Sequence, residues 1–127
     1  MRVALDSNRY NDLLTGDERV ADVLEAADAV YLPFVVIGEL RAGFAAGARQ
    51  VENERLLRQF LLRDGVEVLF ADEQTTHHYA AVYAQLRRQG TPIPTNDMWI
   101  AALVLQHDLA LCTRDRHFDH LPHIPRA

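Results

Sequence analysis

A chain of 127 residues, 49% hydrophobic and with a formal net charge of −5, has the size and apolar content of one domain with a sizeable core, taken as residues 1–127. The acidic balance argues against a protein that simply coats nucleic acid with positive charge. No apolar run approaches the ~20 residues of a bilayer span and no signal peptide opens the chain, so a soluble, cytoplasmic protein with no membrane association is expected.

Met1–Leu5 reads as a short strand, and Asp6-Ser7-Asn8 supplies turn and N-cap residues for a helix starting near Arg9. Val20, Val23, Leu24 and Ala27 recur at helical spacing over Asp17–Ala27. Ala29–Leu32 is a buried strand, and Pro33 fits the first turn of the following helix, where its missing N–H does no harm. The β-branched Phe34–Ile37 run suggests strand, but Glu39–Ala42 favours helix, so a helix from about Phe34 is expected to end at Gly43 or Gly47.

Ala48–Leu62 is amphipathic, with Val51, Leu57, Phe60 and Leu61 on one side. Asp64-Gly65 turns the chain into a strand at Val66–Phe70, and Asp72 then caps a long helix that Gly90 stops after about Gln89. Past the extended loop Thr91–Pro94, Thr95 or Asn96 caps a helix from Asp97 to about His107. Leu109–Cys112 is the next strand, Thr113–His120 a polar turn with one helical turn, and the tail from Leu121 a short edge strand. Alternating strands and helices predict an α/β fold: a mostly parallel central sheet between two helical layers.

Four carboxylates stand where apolar runs end or helices begin: Asp6, Glu39, Asp97 and Asp115. The carboxyl ends of parallel strands share one edge with the starts of the helices that follow, so all four can meet there. Each acid alone is commonly a cap or a partner for the helix dipole. Together they are costly, because two carboxylates about 4 Å apart repel by roughly 4 kcal/mol at an effective dielectric near 20. Divalent cations, Mg²⁺ or Mn²⁺, would relieve that repulsion.

The flanking residues carry a resemblance. Asp6-Ser7-Asn8, Gly38-Glu39-Leu40-Arg41-Ala42-Gly43, Gly90–Ala102 and Thr113-Arg114-Asp115-Arg116-His117-Phe118, in that order and spacing, resemble a PIN-domain protein of the VapC toxin ribonuclease type. Ser7 departs from the threonine more frequent in that family but keeps the hydroxyl. The resemblance implies a three-layer α/β/α PIN-like domain and metal-dependent RNA cleavage, with Asp6, Glu39, Asp97 and Asp115 as the acidic site and Asn8 and Thr113 in support. It also implies a homodimer and a small cognate antitoxin that covers the site. Apolar stripes at Val51–Leu62 and Val20–Ala27 offer surface for a second chain, although core packing is the commoner fate of such stripes.

All 13 basic residues are arginine, leaving planar guanidinium groups to meet phosphate; Arg114 and Arg116 flank the site, ahead of Arg9 and Arg41. The absence of lysine excludes phospho-receiver domains and Asp-nucleophile phosphatases, and no glycine-rich phosphate loop is present. A zinc site of Cys112 with His117, His120 and His123 is disfavoured by Pro122 and by the lack of a matching Cys/His pair. Cys112 reads instead as a small core residue, and Asp119 as a solvated acid beside Arg116. The remaining alternative is a PIN-like module that binds RNA or a partner without cutting.

Overall fold

The computed structural model describes residues 1–127. The chain runs β1 (Arg2–Leu5), α1 (Ser7–Leu14), α2 (Glu18–Ala26), β2 (Ala29–Pro33), α3 (Phe34–Ala46), α4 (Gln50–Leu61), β3 (Val66–Leu69), α5 (Glu73–Gln89), α6 (Thr95–Gln106) and β4 (Ala110–Cys112), then a 3₁₀ turn at Arg116–His120. The sheet has four strands in the order β3-β2-β1-β4, and every pairing is parallel.

This order fixes the layers. The connections β1→β2 and β2→β3 step toward one edge, whereas β3→β4 steps back past β1. Right-handed crossovers in opposite directions lie on opposite faces, so α1–α4 cover one face and the paired α5 and α6 the other. Tyr79 of α5 stacks on Trp99 of α6 with ring centroids 4.0 Å apart. β1 lies between β2 and β4, making the carboxyl ends of β1 and β4 the point at which the chain reverses its winding, where α/β folds form their crevice.

The core explains the rigidity of that edge. Val3, Ala4, Leu5, Leu32, Leu57, Leu103, Val104 and Leu111 are wholly buried. α6 is apolar nearly all round, its Ile100–Val104 stretch sealed from solvent, which is expected of a helix packed on the sheet and against its neighbours. Beyond β4, buried Phe118, Leu121 and Ile124 pin the last turn to the core. The tail then returns to β4: Leu111 N–H donates to Pro125 O at 2.8 Å and Ala127 N–H to Leu111 O at 3.0 Å.

Several boundaries differ from expectation for local reasons. The first helix begins at Ser7 rather than near Arg9 because Asp6 is itself the cap, accepting from Arg9 N–H at 2.9 Å. Pro33 ends β2 and stands just before α3, and Gly47, not Gly43, follows the last turn. Pro94 takes the cap position of α6, so Thr95 and Asn96 are its first helical residues and neither caps it. The tail makes a single parallel bridge, Leu111 with Arg126, in place of an edge strand. Asp72 caps α5 as expected, through a reciprocal box with Thr75, and Gly90 ends it at φ 69°, a left-handed conformation that glycine adopts without strain. Val51 is 87% exposed rather than aligned with Leu57 and Phe60, and Val20 is buried in the core.

Candidate active site

The four carboxylates come from four elements. Asp6 follows β1 and caps α1, Glu39 lies midway along α3, Asp97 is in the first turn of α6, and Asp115 caps the 3₁₀ turn after β4. Asp6 and Asp97 are nearly enclosed, at 5% and 9% exposure, while Glu39 and Asp115 are half-buried. α3 and α6 touch over the carboxyl edge of the sheet, which carries Glu39 toward Asp97.

Thr113 joins the ends of β1 and β4. Its hydroxyl donates to Asp6 Oδ2 and accepts from Asp115 N–H at 3.0 Å. Asp6 Oδ1 is occupied by Arg9 N–H, so both oxygens of this buried acid have partners. Asp115 Oδ1 accepts from His117 N–H at 2.9 Å. The His117 ring also enters the site, with Nδ1 2.8 Å from Asp97 Oδ2 and 3.1 Å from Asp115 Oδ1.

Charge is unbalanced there. Burial pushes Asp6 above the usual carboxylate range, against the opposing Thr113 hydrogen bond, and the Asp115 charge adds to the rise. Burial likewise raises Asp97, opposed by the His117 hydrogen bond and assisted by Asp115 and Asp6. Glu39 rises through burial first and then through the charges of Asp97, Asp6 and Asp115, with the Asn96 amide working the other way. The acids therefore act on one another; the Arg9 charge opposes the rise at Asp6, but the nearest guanidinium groups are ion-paired to other acids. Arg9 pairs with Asp12 at 3.3 Å and Asp17 at 3.8 Å, and Arg114 with Asp12 at 2.8 Å.

Oxygen-rich, desolvated, mutually repelling carboxylates without an arginine suit a hard divalent cation. Ligand atoms of Asp97, Asp115 and His117 lie within 4.8 Å of one another, close enough to share one ion, with Asp6 and Glu39 adding negative charge around it.

A PIN domain model matches residues 3–124, nearly the whole chain and all four acids. The chain belongs to the PIN domain family. Among similar proteins within it, Ribonuclease VapC4 of Mycobacterium tuberculosis is 31% identical over 90 residues, covering 71% of this chain and 69% of that protein. Toxin FitB of Neisseria gonorrhoeae is 31% identical over 121 residues, covering 89% and 87%. The solved structure of VapBC-1 from nontypeable Haemophilus influenzae has a TM-score of 0.82 at 26% identity, over all of this chain and 97% of that one. The PIN fold and the VapC-type relationship expected from the motifs both hold.

The supporting residues divide. Thr113 bonds directly to Asp6; Asn8 is exposed on the first turn of α1 and is not among the side chains bonded to the acids. Arg114 is held by Asp12, whereas Arg116 is exposed. Asp119 pairs with Arg126 at 3.2 Å rather than lying beside Arg116. Cys112 is buried, its thiol pushed up by desolvation, and His120 and His123 are exposed.

His117 and Asn96 are the residues that sequence reasoning missed at this site. His117 stands in the last motif and at three-residue spacing to His120, but neither the motif nor the zinc reading assigns its ring to this site. The informative signal was its position two residues after an N-capping aspartate: a cap carboxylate accepts the N–H at that distance, so the ring at that position starts beside it.

Proposed function

We propose that this chain is a Mg²⁺- or Mn²⁺-dependent endoribonuclease, the toxin of a type II toxin–antitoxin pair, in which Asp6, Glu39, Asp97 and Asp115 form the acidic site of one cytoplasmic domain. The observation that carries the reading is the mutual influence of four acids, with no arginine ion-paired to them, at the winding reversal of a PIN fold. A divalent ion bound there supplies an activated water and positive charge for the phosphate oxygens.

The chain's own residues do the rest. Asp97 and Asp115 would hold the ion, and Asp6, clamped by Thr113 and Arg9 N–H, would add negative charge to its surroundings. Glu39 is half-buried with a raised pKa, which suits it to orient the attacking water and take its proton. Arg116 meets a flanking RNA phosphate; Arg114 does so only by releasing Asp12. A cognate antitoxin restrains the enzyme by covering this edge. A homodimer uses apolar side chains left outside the core, of which Val51, Leu62 and Phe70 are 87%, 84% and 70% exposed.

End groups test the reaction class. Water delivered by a metal site leaves a 5′-phosphate and a 3′-hydroxyl, with no cleavage in chelator. Product ending in a 2′,3′-cyclic phosphate, or undiminished cutting in chelator, would reject the metal-water mechanism. Sedimentation at micromolar concentration tests the dimer, and a monomer there contradicts it.

A further inference from the structure

We propose that His117 is a direct ligand of the divalent ion, through Nδ1, and that this nitrogen makes the site select Mn²⁺ over Mg²⁺. The inference rests on the metal-dependent reading above and deepens it by adding a ligand that is not a carboxylate.

Geometry is the first ground. Adjacent donors on an octahedral ion with bonds of about 2.1 Å lie about 3 Å apart. Nδ1 lies 2.8 Å from Asp97 Oδ2 and 3.1 Å from Asp115 Oδ1, so the nitrogen already has neighbouring-corner spacing to each carboxylate, and the ligand atoms of the three residues lie within 4.8 Å of one another. Rigidity is the second. Asp115 caps the turn that carries His117, and Phe118 and Leu121, at 1% and 0% exposure, anchor it from below. The backbone N–H of His117 is itself bonded to Asp115, so the ring is presented from a fixed base.

Chemistry is the third ground. Mg²⁺ takes oxygen donors and keeps its waters, whereas transition-metal ions accept imidazole, with affinity rising from Mn²⁺ along the series. A mixed oxygen and nitrogen set therefore discriminates against Mg²⁺ without any change in charge. The ligating form is the neutral ring with its proton on Nε2, which leaves the Nδ1 lone pair for the ion. The competing role for His117 is to orient the two carboxylates by hydrogen bonding alone. A glutamine can imitate that role but is a poor substitute for imidazole as a ligand.

The test is binding of Mn²⁺ and of Mg²⁺, measured by calorimetry on wild-type and His117→Gln protein, with electron spin echo spectroscopy of the Mn²⁺-loaded forms. Wild type should bind Mn²⁺ more tightly than Mg²⁺ and show modulation from a coordinated ¹⁴N. His117→Gln should lose that modulation and about tenfold or more in Mn²⁺ affinity, a scale that even outer partners of a metal reach, while Mg²⁺ affinity moves by less than about threefold. Tight Mn²⁺ binding without nitrogen modulation, or an equal loss for both ions, overturns the ligand role and leaves the carboxylate site standing. Failure of wild type to bind either ion saturably overturns the metal reading together with it.

Discussion

Asp12, Glu52 and Glu54 lie on α1 and α4, each ion-paired to an arginine, whereas Asp6, Glu39 and Asp97 at the carboxyl edge of the sheet have no arginine ion pair. Arg114 and Arg9 hold Asp12 below the ordinary carboxylate range, Arg55 does the same for Glu52, and Arg41 with Arg58 for Glu54. At the sheet edge the shifts run upward, from burial and from neighbouring acids. The same side-chain chemistry serves two ends. Matched charge on the surface contributes little to stability and nothing to reactivity. Unmatched charge, held in place by the core beneath it, would be relieved by a cation.

The largest expected difference between the regions is in activity. Asp6→Asn and Asp97→Asn should each reduce RNA cleavage by about a hundredfold or more, since metal stabilisation of the transition state amounts to several kcal/mol. Circular dichroism should show the fold retained. Glu54→Gln should leave the rate within about twofold, because it breaks only surface pairs with Arg41 and Arg58. Equal rates for all three variants would erase the distinction.

Stability should respond in the opposite sense. In chelator at neutral pH, Asp97→Asn should melt at the same temperature as wild type or a few degrees higher, because it removes one member of a repelling set. A clearly lower melting temperature would place Asp97 among the structural carboxylates.

Acidity separates the two sets further. For the raised acids, the native state binds more protons than the unfolded chain, so their contribution is fully present below the unfolded values and lost as pH rises through the folded ones. For Asp12 and Glu54 it is present above the unfolded values, ordinarily 3.8 and 4.5, and lost as pH falls through the depressed ones. Metal-free wild type should therefore gain stability relative to Asp97→Asn as pH falls from neutral toward the ordinary value of 3.8. Chelated melting curves across that window read the effect, and a gap that widens in favour of Asp97→Asn on acidification contradicts the assignment.

The smallest effect belongs to the surface. Glu54→Gln should cost about 1 kcal/mol or less, as exposed pairs do, and should do so equally with and without metal.

What the sequence revealed follows from how local each signal was. Strand and helix alternation was legible because apolar periodicity is local, and Asp72 and Gly90 marked the limits of α5 because cap and stop chemistry is carried by single residues. α1 starts two residues before its expected position because, of the three candidate turn and cap residues Asp6-Ser7-Asn8, it is Asp6 that caps, one carboxylate serving both the helix and the site. The four acids could be placed on one edge from parallel topology alone. The pairing of Arg114 with Asp12, 102 residues apart, and the entry of His117 between Asp97 and Asp115 depend on tertiary packing that no short window contains.

Melting of the chelated protein against added ion tests most directly whether the acidic sheet edge takes a divalent metal. At neutral pH, Mn²⁺ at about a hundred times its dissociation constant should stabilise wild type by about 2.7 kcal/mol, roughly 10 °C in a domain of this size. The same addition should shift Asp97→Asn far less. An unchanged wild-type melting temperature at millimolar Mn²⁺ and Mg²⁺ would contradict the account.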